Sequence, residues 1–182
     1  MKKVKLVTIS LSLGVCKKKS GISYVTFDGK NVRMEPGKKY TLARHMSKDG
    51  DVDFSILGTT EDCSLKGRKK ICIASVTVLF GDHTADINYD QSSSEVMKNF
   101  HKTHLRDLNL QVVFSIDGTV LSGLPTIQHG IKLAQSSSGN YYIEIKSLHV
   151  KVDFKLVTSE FIVSVPFTLY GKNLQGLCGI TL

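Results

Sequence analysis

Apolar residues in this chain recur at every second position, in short runs broken by turn dipeptides about every ten residues. Val52, Phe54 and Ile56 alternate with Asp53 and Ser55. Val112, Phe114 and Ile116 lead into Asp117 and Gly118. Ile71–Phe80 reads I-C-I-A-S-V-T-V-L-F and stops at Gly81 and Asp82, after which residues 84–88 can return as its hairpin partner. Successive side chains of a strand point to opposite faces, so a period of two marks a half-buried strand. Further strands are expected at residues 24–27, before Asp28 and Gly29, and from Tyr40, after Pro36 and Gly37. Others follow at 141–145, 150–156 and 161–165. Many short strands at regular spacing predict an all-β fold, here an antiparallel β-sandwich.

One segment departs from the pattern. Ser92, Ser93, Ser94 and Glu95 precede Val96, Met97, Phe100 and His104, a spacing that fits one face of a short helix with a serine cap. A short helical insertion is therefore expected near residues 93–104. No linker divides the chain, and its 182 residues suit a single domain spanning 1–182.

Residues 1–15 can be read in two ways. A basic start followed by a mildly apolar run resembles a signal-like segment. Ile9, Leu11 and Leu13, alternating with Ser10 and Ser12, instead favour a first strand. No stretch reaches the roughly 18 apolar residues of a membrane span.

The net charge of +8 is concentrated at one end. Lys2, Lys3, Lys5, Lys17, Lys18 and Lys19 supply six of the eight, with no acid among the first twenty residues. A nucleic-acid binder carries a basic face across its fold, so nucleic acid is not the expected partner. Lys17, Lys18 and Lys19 remain candidates for binding an anionic or membrane surface.

No catalytic constellation stands out, and no catalytic residue is assigned. The chain lacks a G-x-S-x-G elbow, a G-x-G-x-x-G segment and a phosphate loop. Of its six histidines, His101 and His104 would share a helical face and could ligate a metal, but no third ligand follows at a compelling spacing. A histidine-dependent metalloenzyme is one rival class, and a basic membrane-surface protein is another. Asp51 and Asp53 read as the solvent face of a strand, and His129 as a turn residue. Cys16, Cys63, Cys72 and Cys178 permit two disulfides in three connectivities, with reduced core thiols as the alternative.

Two short segments carry a family resemblance. Residues 24–30 read Y-V-T-F-D-G-K, and residues 176–179 read G-L-C-G. With Cys16 ahead of the first, Cys63 and Cys72 before the strand containing V-T-V, the glycine-led hairpin at Gly81 and the G-L-P segment at 123–125, the chain resembles the von Willebrand factor type D family over residues 16–179. That family typically has a cysteine before T-F-D-G and ends in C-G-L-C-G. The resemblance implies pairing of Cys16 with Cys178 and of Cys63 with Cys72, and a secreted, non-catalytic module. It also implies an extracellular protein or lipoprotein partner. Two family cysteines are replaced, by Gln175 and by Lys38 or Lys39, and the resemblance implies that these were partners of one another. Without them or a CxxC pair, no disulfide-linked multimer is expected. The reduced cysteine set looks most like the type D module of vitellogenins and related lipid carriers.

Calcium is the family's common ion, and Asp28 matches its T-F-D-G aspartate. Residues 179–182 read G-I-T-L and add no acid or amide, so the resemblance implies at most an incomplete calcium site. Read from its neighbours alone, Asp28 is a turn residue before Gly29. No cofactor is otherwise expected.

Overall fold

The computed structural model describes residues 12–20, 22–62, 71–89, 112–155 and 160–179. These form fifteen strands. The first group is β1 (Leu13–Ser20), β2 (Ser23–Val25) and β3 (Asn31–Arg33). The second is β4 (Lys39–Met46), β5 (Val52–Asp62), β6 (Ile71–Phe80), β7 (His83–Tyr89), β8 (Val112–Ile116) and β9 (Thr119–Val120). Then come β10 (Thr126–Gln128), β11 (Ile131–Gln135), β12 (Tyr141–Ile145), β13 (Val150–Lys155), β14 (Glu160–Pro166) and β15 (Leu174–Gln175).

They make two antiparallel sheets, ordered β10-β11-β12-β13-β14-β1-β2-β3 and β15-β4-β5-β6-β7-β8-β9. The all-β sandwich is as the alternation indicates. The chain builds part of the first sheet, crosses to the second for β4 to β9, returns for β10 to β14, and finishes in the second with β15. The first and last described strands, β1 and β15, thus lie in opposite sheets. The helical insertion expected near residues 93–104 falls outside the described residues.

The core forms where the alternating faces meet. β13 and β14 bury Val150, Val152, Phe154, Phe161, Val163 and Val165, with the intervening residues only partly covered. Tyr24 stacks flat on Phe161, with ring centroids 4.6 Å apart. Phe54, Ile56, Val76, Val78, Ala85 and Ile87 supply the facing layer.

β1 keeps the two-residue period, but its apolar residues point outward. Gly14 and Cys16 face the core, while Leu13 and Val15 are 57% and 39% exposed. Two contacts fix this phase. A Cβ on Gly14 would stand 3.0 Å from the Phe167 ring and 3.2 Å from the Phe27 ring. Cys16 must also turn inward to reach its disulfide partner. Residues 1–11 lie outside the described part.

Candidate functional site

The T-F-D-G and G-L-C-G segments meet in space. In the first, the Thr26 N–H donates to the Lys30 carbonyl at 2.9 Å and the Gly29 N–H to the Thr26 carbonyl at 3.0 Å. Gly29 adopts φ +80°, which an L side chain rarely takes. The buried Thr26 hydroxyl donates to Asp28 Oδ1 and accepts from the Lys30 N–H at 3.0 Å. Thus the loop is closed by its own residue types.

The tail is held by backbone hydrogen bonds and by a disulfide. The N–H groups of Leu177 and Cys178 donate to the carbonyls of Thr41 and Leu42, each at 2.8 Å. The Cys178 carbonyl accepts from the Phe27 N–H at 3.0 Å, joining tail to loop. Cys178 is bonded to Cys16, with S–S 2.02 Å and Cα–Cα 5.6 Å across a sequence separation of 162. Both cysteines are fully buried. Because β1 belongs to one sheet and the tail follows β15 in the other, this bridge fastens sheet to sheet. Cys72 is also disulfide-bonded. Its expected partner, Cys63, lies outside the described residues.

The two replaced family cysteines do not face each other. Gln175 is the antiparallel partner of Arg44, whereas Lys39 at the start of β4 pairs with Thr59. Five residues of strand, about 16 Å, separate Arg44 from Lys39. A disulfide needs Cα atoms within about 7 Å, so the expectation that cysteines at these positions would pair with one another does not hold.

Asp28 is occupied within its own loop. Its carboxylate accepts from Thr26, and Lys30 Nζ stands 3.3 Å from Oδ2. The Thr26 hydroxyl, then Lys30, hold its carboxyl below the usual carboxylate range. A calcium ion takes six or more oxygens. Among the described residues, Asp28 belongs to no group of three acidic, histidine or cysteine ligands.

The lysine cluster is divided by the strand it sits on. Lys17 is exposed. The Lys18 side chain is 6% exposed, with Nζ 3.4 Å from Glu160 Oε1 and within reach of the Ile71 carbonyl at 3.5 Å. Nothing is described of the Lys19 side chain. No helix among the described residues is long and apolar enough to cross a membrane.

His45 Nδ1 lies 2.7 Å from Asp53 Oδ2, and its ring meets the edge of Tyr170 at 4.8 Å. Asp53 is thus tied to a neighbouring strand. His149, in the left-handed region at φ +53°, ends a short helical turn. His101 and His104 lie outside the described residues. His83 and His129, far apart in sequence, are brought into ring contact.

A sandwich whose two sheets are bridged through the buried cysteine of a G-L-C-G segment is the architecture the sequence resemblance implies. A family model for the von Willebrand factor type D domain matches residues 16–181. The chain belongs to the von Willebrand factor type D domain family. It is similar to hemocytin of Bombyx mori, at 20% identity over 157 residues. That alignment covers 86% of this chain and 4% of hemocytin, so the chain spans a small fraction of that relative's length. The similarity lends no support to a vitellogenin-like subtype.

Proposed function

We propose that this chain is an extracellular, non-catalytic adhesion or structural module that presents loops and sheet edges to a protein partner from a covalently braced sandwich. The observation that carries this reading is the buried Cys16–Cys178 bridge between the sheets. Such a bridge persists in an oxidising compartment and is rare in a reducing one. Membership in the type D family and the likeness to hemocytin support it. A narrower placement, in a yolk or lipid-carrier protein with a lipoprotein partner, rests only on the sparse set of four cysteines.

Fractionation of the producing cells with immediate thiol alkylation tests the compartment. The protein is expected in the extracellular fraction, with Cys16 and Cys178 protected from alkylation and recovered as one linked peptide pair. Recovery in the cytosol with both thiols alkylated would overturn the reading.

A further inference from the structure

Three two-residue hairpins converge at one place in the sandwich. β6 and β7 are joined by Gly81 and Asp82, β8 and β9 by Asp117 and Gly118, and β10 and β11 by His129 and Gly130. The first two hairpins belong to one sheet and the third to the other. Both central residues of the second and third turns have positive φ: +50° and +75° for Asp117 and Gly118, +51° and +79° for His129 and Gly130. That is the geometry whose twist matches paired strands. The tips are also packed together, since a Cβ on Gly130 would lie 3.2 Å from the Phe80 ring.

This arrangement gathers His83, Asp117 and His129. Their ligand atoms all lie within 4.8 Å of one another. His83 Nδ1 is 2.9 Å from Asp117 Oδ2, and His129 Nε2 is 3.9 Å from the same oxygen. The two imidazoles stack with centroids 3.7 Å apart and planes 8° from parallel. The other carboxylate oxygen, Oδ1, accepts from the Thr84 N–H at 2.7 Å, and the Asp117 N–H donates to the Thr84 carbonyl at 2.8 Å. One oxygen is therefore anchored to β7, which aims the free one at the histidines. Metal-ligating carboxylates are commonly held by such an outer hydrogen bond.

We propose that His83, Asp117 and His129 form a binding site for a divalent, imidazole-preferring metal ion of the zinc class. Ligand atoms around tetrahedral zinc stand roughly 3.4 Å apart, given bonds of about 2.0–2.1 Å. The two measured separations from Asp117 Oδ2 lie on either side of that value. Both imidazoles must turn out of their parallel stack to aim their nitrogens at one ion, and their accessible side chains at the hairpin tips leave room for that turn. Two nitrogens and one carboxylate suit zinc, whereas calcium and magnesium select oxygen ligands. Three protein ligands leave the fourth position to solvent. The bound ion would clip the two sheets together through their hairpin tips.

The test is calorimetric titration of ZnCl2 into the chelator-stripped 182-residue chain and into two variants. Asp117→Asn keeps both the Thr84 contact and a residue that accepts positive φ, and His129→Asn keeps a residue that accepts positive φ in the third turn. The wild type is expected to bind one zinc equivalent that each variant binds at least about tenfold more weakly. Zinc should raise the Tm of the wild type and leave the variants' unchanged. Matching circular dichroism and metal-free Tm would show all three chains folded. Equal affinity and stoichiometry in the wild type and both variants would overturn the site. Absence of zinc binding by the wild type would reduce the cluster to an ordinary surface ion pair and overturn it equally.

Discussion

Gly176 and Gly179 leave no room for a side chain. A Cβ on Gly176 would meet the Thr41 carbonyl oxygen at 2.6 Å, in a residue already at φ +99°. One on Gly179 would meet the Leu174 carbonyl oxygen at 2.6 Å. Those carbonyls are strand backbone and cannot swing aside, so the two glycines of G-L-C-G follow from close approach. Gly179→Ala is expected to cost about 3 kcal/mol, read as a lower midpoint in urea unfolding. Tyr24 presents the opposite case. Its ring packs on Phe161, but its buried hydroxyl has no hydrogen-bond partner among the described residues. Tyr24→Phe should be neutral or stabilise the fold by about 1 kcal/mol. Burial, and then the charge of Glu160, push the Tyr24 phenol well above its ordinary value of 10.0. The folded chain therefore holds that proton more tightly than the unfolded one. The resulting stability is fully present below pH 10 and declines as the pH rises beyond it. Unfolding measured from pH 8 to 11 should show a steeper alkaline loss for the wild type than for Tyr24→Phe.

Among the elements, strands whose burial is decided by the facing sheet were legible as strands, while their phase was not always so. In β13 and β14 the apolar residues take the inward face, and alternation alone is sufficient. In β1 the phase is set by Cys16 and by the rings above Gly14, and of these contacts Cys178 and Phe167 come from positions more than one hundred residues away. Turn dipeptides located the hairpins, since glycine at positive φ has a local cause. What binds a turn to its surroundings is not local. The turn at Pro36 and Gly37 is pinned to β5 by buried Thr60, whose hydroxyl donates to the Glu35 carbonyl at 2.6 Å and accepts from the Lys38 N–H at 3.0 Å. Thr60→Val keeps the shape and leaves both groups unpaired. It should cost about 2 kcal/mol, seen as a lower Tm with the β-sheet circular dichroism unchanged. The cluster of His83, Asp117 and His129 escaped a sequence reading for the same reason. Each residue sits at the end of a recognisable hairpin, but nothing in a linear spacing says that three hairpins from two sheets will touch.

For the molecule as a whole, the family could be read from two short anchors because each is dictated by backbone geometry shared by the fold. Thr26 and Gly29 close one loop, the tail glycines allow the other to lie against β4, and the bridge joins both. The pairing of the absent cysteines that the resemblance implies does not hold, because the register of β15 on β4 places Gln175 beside Arg44 and not beside Lys39. Closing a loop of 162 residues contributes up to about 5 kcal/mol by loop entropy. Replacing Cys16 and Cys178 together by Ala should remove much of that, lowering the denaturant midpoint. The bridge has a further outcome for a chain exposed to proteases. With Cys16 and Cys178 joined, the polypeptide between them is a macrocycle. A single cut in the loop around Ser136 and Ser138 linearises the ring but detaches nothing. Limited digestion should therefore yield a species that migrates at intact mass on a non-reducing gel and separates into two fragments only when a reductant is added, so that the module survives scission as one body.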